Sequence, residues 1–216
     1  MDHKTAVEAD PGTRAQAGAA AKLGAPTRAK AAPAARLSAR ERLLAAADEL
    51  FYENGINLVG IDRVIEHAGV AKASLYDTFG SKEELIRCYL KARSERRQAR
   101  IGERMARYQT PRDKILSVFD DLAETVAKPN YRGCAFQRAG AEPGSGSTIK
   151  GACDDSRAWV RAQFAELARE AGAHDPDSLS RQLVILYDGA ATTAHVDRDL
   201  DAPKSARALA ERLVPG

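Results

Sequence analysis

The stretch from residue 60 to 79, Gly-Ile-Asp-Arg-Val-Ile-Glu-His-Ala-Gly-Val-Ala-Lys-Ala-Ser-Leu-Tyr-Asp-Thr-Phe, limits the folds open to this chain more than any other. Ile61, Val64, Ile65 and Ala68 recur at helical spacing and stop at Gly69. A second short pattern, Lys72–Phe79, puts Leu75 and Phe79 on one face. Ala68-Gly69-Val70-Ala71 makes a tight turn between them, and the apolar Val70 is predicted to plug the core between the two helices. This is the grammar of a helix-turn-helix, in which one helix braces and the next enters the major groove of a duplex. The outward positions of the second helix, Lys72, Ala73, Ser74, Tyr76, Asp77 and Thr78, are small or polar, so it can approach base edges closely. Taken alone, the pattern also fits an ordinary helical hairpin.

The rest of the chain reads as helix after helix. Ser38 followed by Glu41 is a capping box, and Leu43, Leu44, Ala47, Leu50 and Phe51 follow at helical spacing until Asn54-Gly55. Ser81, with Glu83 and Glu84 behind it, opens a long helix through Leu85, Ile86, Tyr89 and Leu90 that turns strongly basic up to Arg107. Pro111 opens the next at its first position; Ile115, Leu116, Phe119, Leu122 and Val126 mark its apolar side. A short helix over 134–142, a loop from Pro143, and helices over 149–172, 176–196 and the last dozen residues complete the reading. The chain holds 42 alanines and no strand pattern, so the expected fold is all-α.

Charge is unevenly spread. Residues 1–36 carry six Lys/Arg and three Asp/Glu, and the segment 81–107 carries nine and four; the remainder is mildly acidic. Such asymmetry hints at a polyanionic partner. The first 36 residues hold 13 Ala and three Pro and too few large apolar side chains to offset ordering entropy, so they read as a disordered basic tail. That tail is either simply solvated or an arm adding phosphate contacts through Arg28, Lys30 and Arg36. The basic run 91–107 reads as a solvated face rather than a second duplex contact, because it starts two turns beyond Lys82.

Several classes are excluded. No apolar run is long enough to cross a membrane and no signal peptide precedes the body, so no membrane partner is expected. Cys88, Cys134 and Cys153 are odd in number and form no metal-binding pattern, which suits a reduced, cytoplasmic protein. Cys134 lies near Arg132 and Arg138, and reads either as a buried inert thiol or as a redox-sensitive one. The loop Gly144-Ser-Gly-Ser-Thr lacks the phosphate-loop lysine, and His174 and His195 are isolated, so neither a cofactor nor a metal is expected. No catalytic triad or carboxylate pair is recoverable, which argues against an enzyme.

Residues 38–97 resemble the DNA-binding domain of the TetR/AcrR family of bacterial transcription regulators. The resemblance rests on Ala68-Gly69-Val70, Leu75-Tyr76, Phe79 and Ser81-Lys82-Glu83-Glu84-Leu85, with Ala46-Ala47-Asp48-Glu49-Leu50-Phe51 and Asn54-Gly55 before them. It implies a three-helix DNA-binding domain over 37–97 and a helical effector-binding and dimerisation domain over 98–216. It also implies that Lys72 and Lys82 neutralise phosphates, that Tyr76 gives its hydroxyl to the backbone, and that Ala73, Ser74 and Thr78 face bases. Gly60, Ile61 and Ala71 flank that surface, and Asp77 either repels phosphate or accepts from a cytosine amino group. Gly60, Ile65, Ala71 and Asp77 differ from the residues common in the family.

Function follows as an expectation: a homodimeric repressor on a palindromic operator, released by a small hydrophobic effector. The alternative is a ligand-independent DNA-binding protein whose C-terminal half only dimerises or recruits a partner. The effector pocket is expected to be largely apolar, built from Phe119, Cys134, Phe136, Gln137, Trp159, Phe164 and Tyr187. The stripe Leu179, Leu183, Leu186, Ala190 and Ala194 is expected at a dimer interface.

Overall fold

A computed structural model describes residues 37–144 and 146–215. The tail, with Arg28, Lys30 and Arg36, lies outside the described residues. Among those described, the regular structure is helical throughout: α1 (Ala39–Asn54), α2 (Ile61–Ala68), α3 (Lys72–Phe79), α4 (Lys82–Met105), α5 (Pro111–Val126), α6 (Ala135–Ala141), α7 (Ser147–Glu170), α8 (Pro176–Val196) and α9 (Ala202–Leu213). The fold is the all-α one the periodicity called for.

Local chemistry explains the boundaries. The Ser38 hydroxyl accepts from the Glu41 amide at 3.2 Å while the Glu41 carboxylate accepts from the Ser38 amide at 2.8 Å, which closes the capping box of α1. Ser81, Thr110 and Asp175 each accept from the amide three residues on, and so start α4, α5 and α8. Gly69 ends α2 in the left-handed conformation, φ +59°, where a side chain is strained. A Cβ there would also meet the Arg42 guanidinium at 2.7 Å, and that guanidinium donates to the Gly69 carbonyl at 2.7 Å. The turn of the helix-turn-helix is thereby held from α1.

Two apolar clusters organise the packing. One joins α1 to α4 around Leu43, Phe51, Val64, Leu75 and Leu85, with Val70 half-buried against it as the expected plug. It also takes in Phe136 and Ala139 of α6 and Ile149 and Cys153 of α7. The other joins the end of α4 to α5, α7, α8 and α9 around Ile101, Ile115, Phe119, Phe164, Leu183 and Tyr187. Helix α4 contributes to both.

Two expectations are corrected here. The basic run of α4 is a solvated face only in part: Lys91 and Arg107 are exposed, but the arginines between them are bonded to neighbouring helices. Arg93 and Arg96 donate to the same Asp48 oxygen at 2.7 and 2.6 Å, Arg97 donates to Ser156, and Arg100 forks onto Asp121 at 2.7 and 3.0 Å. Arg104 pairs with Glu124. The run is the polar seam by which α4 is bound to α1, α5 and α7. Second, Leu179, Leu183, Ala190 and Ala194 are buried in the chain's own core, and Leu186 packs partly against it. The face of α8 that stays open carries Ile185 (70 % exposed), Gly189, Thr192 and Val196, and on α9 Ala208, Leu209 and Leu213 are exposed.

Candidate nucleic-acid interface and ligand cavity

Helix α3 buries Leu75 and Phe79 and turns Lys72, Ala73, Tyr76, Asp77 and Thr78 to solvent, with Ser74 half-exposed. Neither Gly60 nor Ala71 supplies a side-chain cap, so the first-turn amides of α2 and α3 carry only their helix dipoles outward. The Lys72 ammonium is held by Asp62 across the turn at 2.8 Å, which raises its pKa. The Thr78 hydroxyl donates to the Ser74 carbonyl at 2.6 Å, which satisfies its proton within the helix. Lys82 is half-buried at the start of α4; burial pushes its ammonium down against the opposing pull of Glu142. Small side chains, Tyr76, Lys72 and the acidic Asp77 thus share the open side of α3, with Lys82 half-buried at the start of the helix that follows. That composition suits close approach to a groove and its flanking phosphates.

Glu142, just beyond α6, accepts from the amides of Ile56 and Asn57 at 2.9 and 2.7 Å, while the Asn57 amide group donates to the Pro143 carbonyl at 2.8 Å. The Tyr52 hydroxyl donates to the Gly133 carbonyl at 3.1 Å and accepts from the Arg132 amide at 2.9 Å, and Arg138 donates to the Tyr52 carbonyl at 2.6 Å. The segment 131–143 is therefore bonded to α1 and to the loop leading into α2.

Beside these bonds lies a cavity of about 220 Å³. Asp48 and Tyr52 of α1, Arg93, Arg96, Arg97 and Arg100 of α4, and Leu122 and Thr125 of α5 form one side. Tyr131, Gly133, Cys134, Ala135 and Phe136 form another, and Tyr187, Asp188 and Ala191 of α8 close it. The guanidiniums lie on aromatic faces: Arg93 is 3.7 Å from the Tyr52 ring centre and Arg97 is 4.7 Å from that of Phe136. Burial pushes the Asp188 carboxyl up against the pull of Arg157, 2.9 Å away, and pushes the Tyr187 phenol up to about 12. Burial also raises the thiols of Cys88 and Cys153, the latter to about 11, which keeps both protonated.

The fold recurs in solved structures. A TetR-type transcriptional regulator from Streptomyces avermitilis is 31 % identical, with a TM-score of 0.70 over 81 % of this chain and 99 % of its own. The chain belongs to the TetR family. A TetR-family regulator from Streptomyces coelicolor is 29 % identical, with a TM-score of 0.72 over 80 % and 96 % of the two chains. The model of bacterial regulatory proteins of the tetR family matches residues 43–87. Among curated relatives, the regulator YezE of Bacillus subtilis is 29 % identical over 87 residues, 40 % of this chain but only 45 % of its own length. The transcriptional activator FasR of Mycolicibacterium smegmatis is 28 % identical over 166 residues, 74 % of each chain. As a TetR-family member the chain is a DNA-binding transcription regulator.

Within that TetR frame, the structure brings together only part of the ligand set read from sequence. Cys134, Phe136 and Tyr187 line the cavity. Phe119 and Phe164 stack on each other in the second core cluster, rings 5.9 Å apart, and Trp159 packs against the same cluster. Gln137 lies beside Thr192 on the outer side of α8. The cavity the structure shows is therefore not walled by Phe119, Trp159 and Phe164, which pack within the core cluster; arginines of α4 share its wall with Tyr52, Tyr131, Phe136 and Tyr187. The missed residues are Arg93, Arg96, Arg97 and Arg100. Their spacing of three and four is the one available clue, since it sets them along one side of a helix. No helix among the described residues is long and apolar enough to cross a membrane.

Proposed function

We propose that this regulator is a homodimeric repressor that binds a palindromic operator through α3 and is released by a small molecule held in the cavity beside α4. In this reading residues 37–97 bind DNA, residues 98–216 hold the partner subunit, and both parts contribute to the effector cavity. Lys72, Lys82 and Tyr76 meet phosphates; Ala73, Ser74 and Thr78 face bases; Asp77 accepts from a cytosine amino group; Gly60, Ile61 and Ala71 let the backbone come close. The open face of α8 and α9, with Ile185, Gly189, Val196 and Leu209, is the surface a second copy would cover. The observation that carries the reading is the cavity's position: its wall includes α1 and most of its α4 residues from the DNA-binding part and α5 and α8 from the rest, so an occupant touches both. A ligand that binds the released state better than the bound one then shifts the population.

The test is selection of a duplex from random sequence, followed by titration at several salt concentrations. Lys72→Ala and Lys82→Ala should weaken binding to all duplexes and flatten the salt dependence, whereas Ser74→Ala or Thr78→Val should change the preferred sequence. Unaltered affinity of the Lys72 variant would remove α3 from the interface. The likeness to FasR, an activator, favours a second reading in which the bound dimer promotes transcription. The position of the footprint relative to the promoter separates the two.

A further inference from the structure

We propose that the cavity beside α4 receives a small monocarboxylate carried on a flat apolar body, and that Arg97 and Thr125 are the groups that recognise the carboxylate. The inference rests on the reading of this cavity as the effector site. It begins from charge. Four guanidiniums and two carboxylates face the cavity. Arg93 and Arg96 share Asp48, and Arg100 is forked onto Asp121. Asp188 is paired with Arg157, which blunts its repulsion of an incoming anion. Among the described residues Arg97 has no carboxylate within salt-bridge distance; one of its terminal nitrogens donates only to the Ser156 carbonyl and hydroxyl, at 2.8 and 2.5 Å.

Two further observations point at a ligand. The Arg97 Nε and the Thr125 Oγ1 are both buried and both without a hydrogen-bond partner, and both residues belong to the wall of this one cavity. Interiors leave few such groups unmet, so two on one wall are informative. Both can donate to a carboxylate oxygen, and a guanidinium edge matches a carboxylate in geometry. The ring of Phe136 under Arg97 and its bonds to Ser156 fix the guanidinium before anything binds, which lowers the entropy lost on capture. One unpaired guanidinium and one hydroxyl suit a single negative charge rather than the two of a phosphate monoester.

The remaining wall describes the body of the ligand. Tyr52, Tyr131, Phe136 and Tyr187 offer ring faces and edges. The volume of about 220 Å³ exceeds the ~150 Å³ that holds a benzene molecule in an engineered cavity. There is room for one ring with a short acid arm, or for an aliphatic acid of similar size.

Calorimetric titration of the full chain with benzoate, phenylacetate and hexanoate, each beside its neutral amide, tests this. At least one acid should bind, with its amide weaker by roughly ten-fold or more, the worth of a charge-assisted hydrogen bond. Arg97→Met should weaken that acid by a similar ~10–100-fold. Thr125→Val should weaken it by several-fold without lowering the melting temperature, because the hydroxyl removed has no partner in the free protein. This second variant decides the matter should Arg97→Met fail to fold. Absence of binding by every acid at ~10 mM, equal binding of acid and amide, or unaltered affinity in the Thr125 variant overturns the inference. So does tighter binding of phenyl phosphate than of benzoate, which would assign the site to phosphate. An acid that binds but leaves the operator complex intact preserves the carboxylate site and overturns ligand release. Operator release by neutral compounds alone does the reverse.

Discussion

Asp121 offers the sharpest test of how α4 is held. Its side chain is 1 % exposed, and it takes the forked guanidinium of Arg100 with Arg104 close behind at 3.9 Å. Removing one partner of a fully buried ion pair costs about 3–5 kcal/mol, because the survivor stays desolvated and unpaired. The two partners here are not equally trapped. Arg100 is 39 % exposed, so after Asp121→Ala it can swing toward water. The expected loss is then about 2 kcal/mol, below the range for a fully buried pair. Arg100→Met keeps the apolar stem but strands the carboxylate with only the distant Arg104, and should lose about 3 kcal/mol or more. At about 2–4 °C per kcal/mol for a body of this size, the melting temperature should fall by about 4–8 °C and 6–12 °C respectively. The double variant Asp121→Ala/Arg100→Met should lose less than the two singles added together, since neither charge is left behind. Urea unfolding followed by circular dichroism at one fixed protein concentration measures all three, the fixed concentration removing any contribution from association. If Asp121→Ala costs more than Arg100→Met, or the double variant is the sum of the singles, the argument from unequal burial is wrong.

Two other outcomes follow from the contacts described. Glu142→Ala removes the carboxylate that accepts from Ile56 and Asn57, and should cost about 1–2 kcal/mol, since part of that contact is solvent-exposed; hydrogen exchange at those two amides should quicken, and unchanged protection there would mean the strut is not formed in solution. Ile185→Glu places a charge on the open face of α8 without touching the core, so a folded monomer by light scattering supports dimerisation there, while an unchanged dimer mass refutes it.

Much of the helical plan was legible because its boundaries are local. Ser38 with Glu41, Ser81, Pro111, Pro176 and the glycines after α1 and α2 act on residues within one turn, and α3 is found over the residues its pattern marked. The last turns are less sharply written: α4 stops at Met105 rather than Arg107, and α7 starts at Ser147, two residues before its first apolar position. The cavity was half legible. Phe136, Cys134 and Tyr187 are visible as large or unusual side chains, but the arginines acquire meaning only from partners far along the chain, Asp48 and Ser156 among them. Periodicity likewise marks which residues of α8 share a side, yet not whether that side meets its own chain or another. Leu183 and Ile185 are equally apolar, and packing alone puts one in the core and the other outside.

Lys72 carries its own counterion. The carboxylate of Asp62, on the preceding helix, already neutralises it. For a bare lysine, meeting a phosphate is an exchange of mobile cations, and each such contact steepens the salt dependence by roughly 0.9 in the logarithmic slope. If Lys72 takes a phosphate as proposed, the tethered Asp62 carboxylate is displaced along with the mobile ions, so Lys72→Ala should flatten the salt slope by less than Lys82→Ala does. Both side chains are exposed, so the pair is weak and exchanges readily. Every duplex would meet that small cost alike, so under the proposed use of α3 Lys72 would lend general affinity, less than a bare lysine would, and leave the choice of sequence to its neighbours.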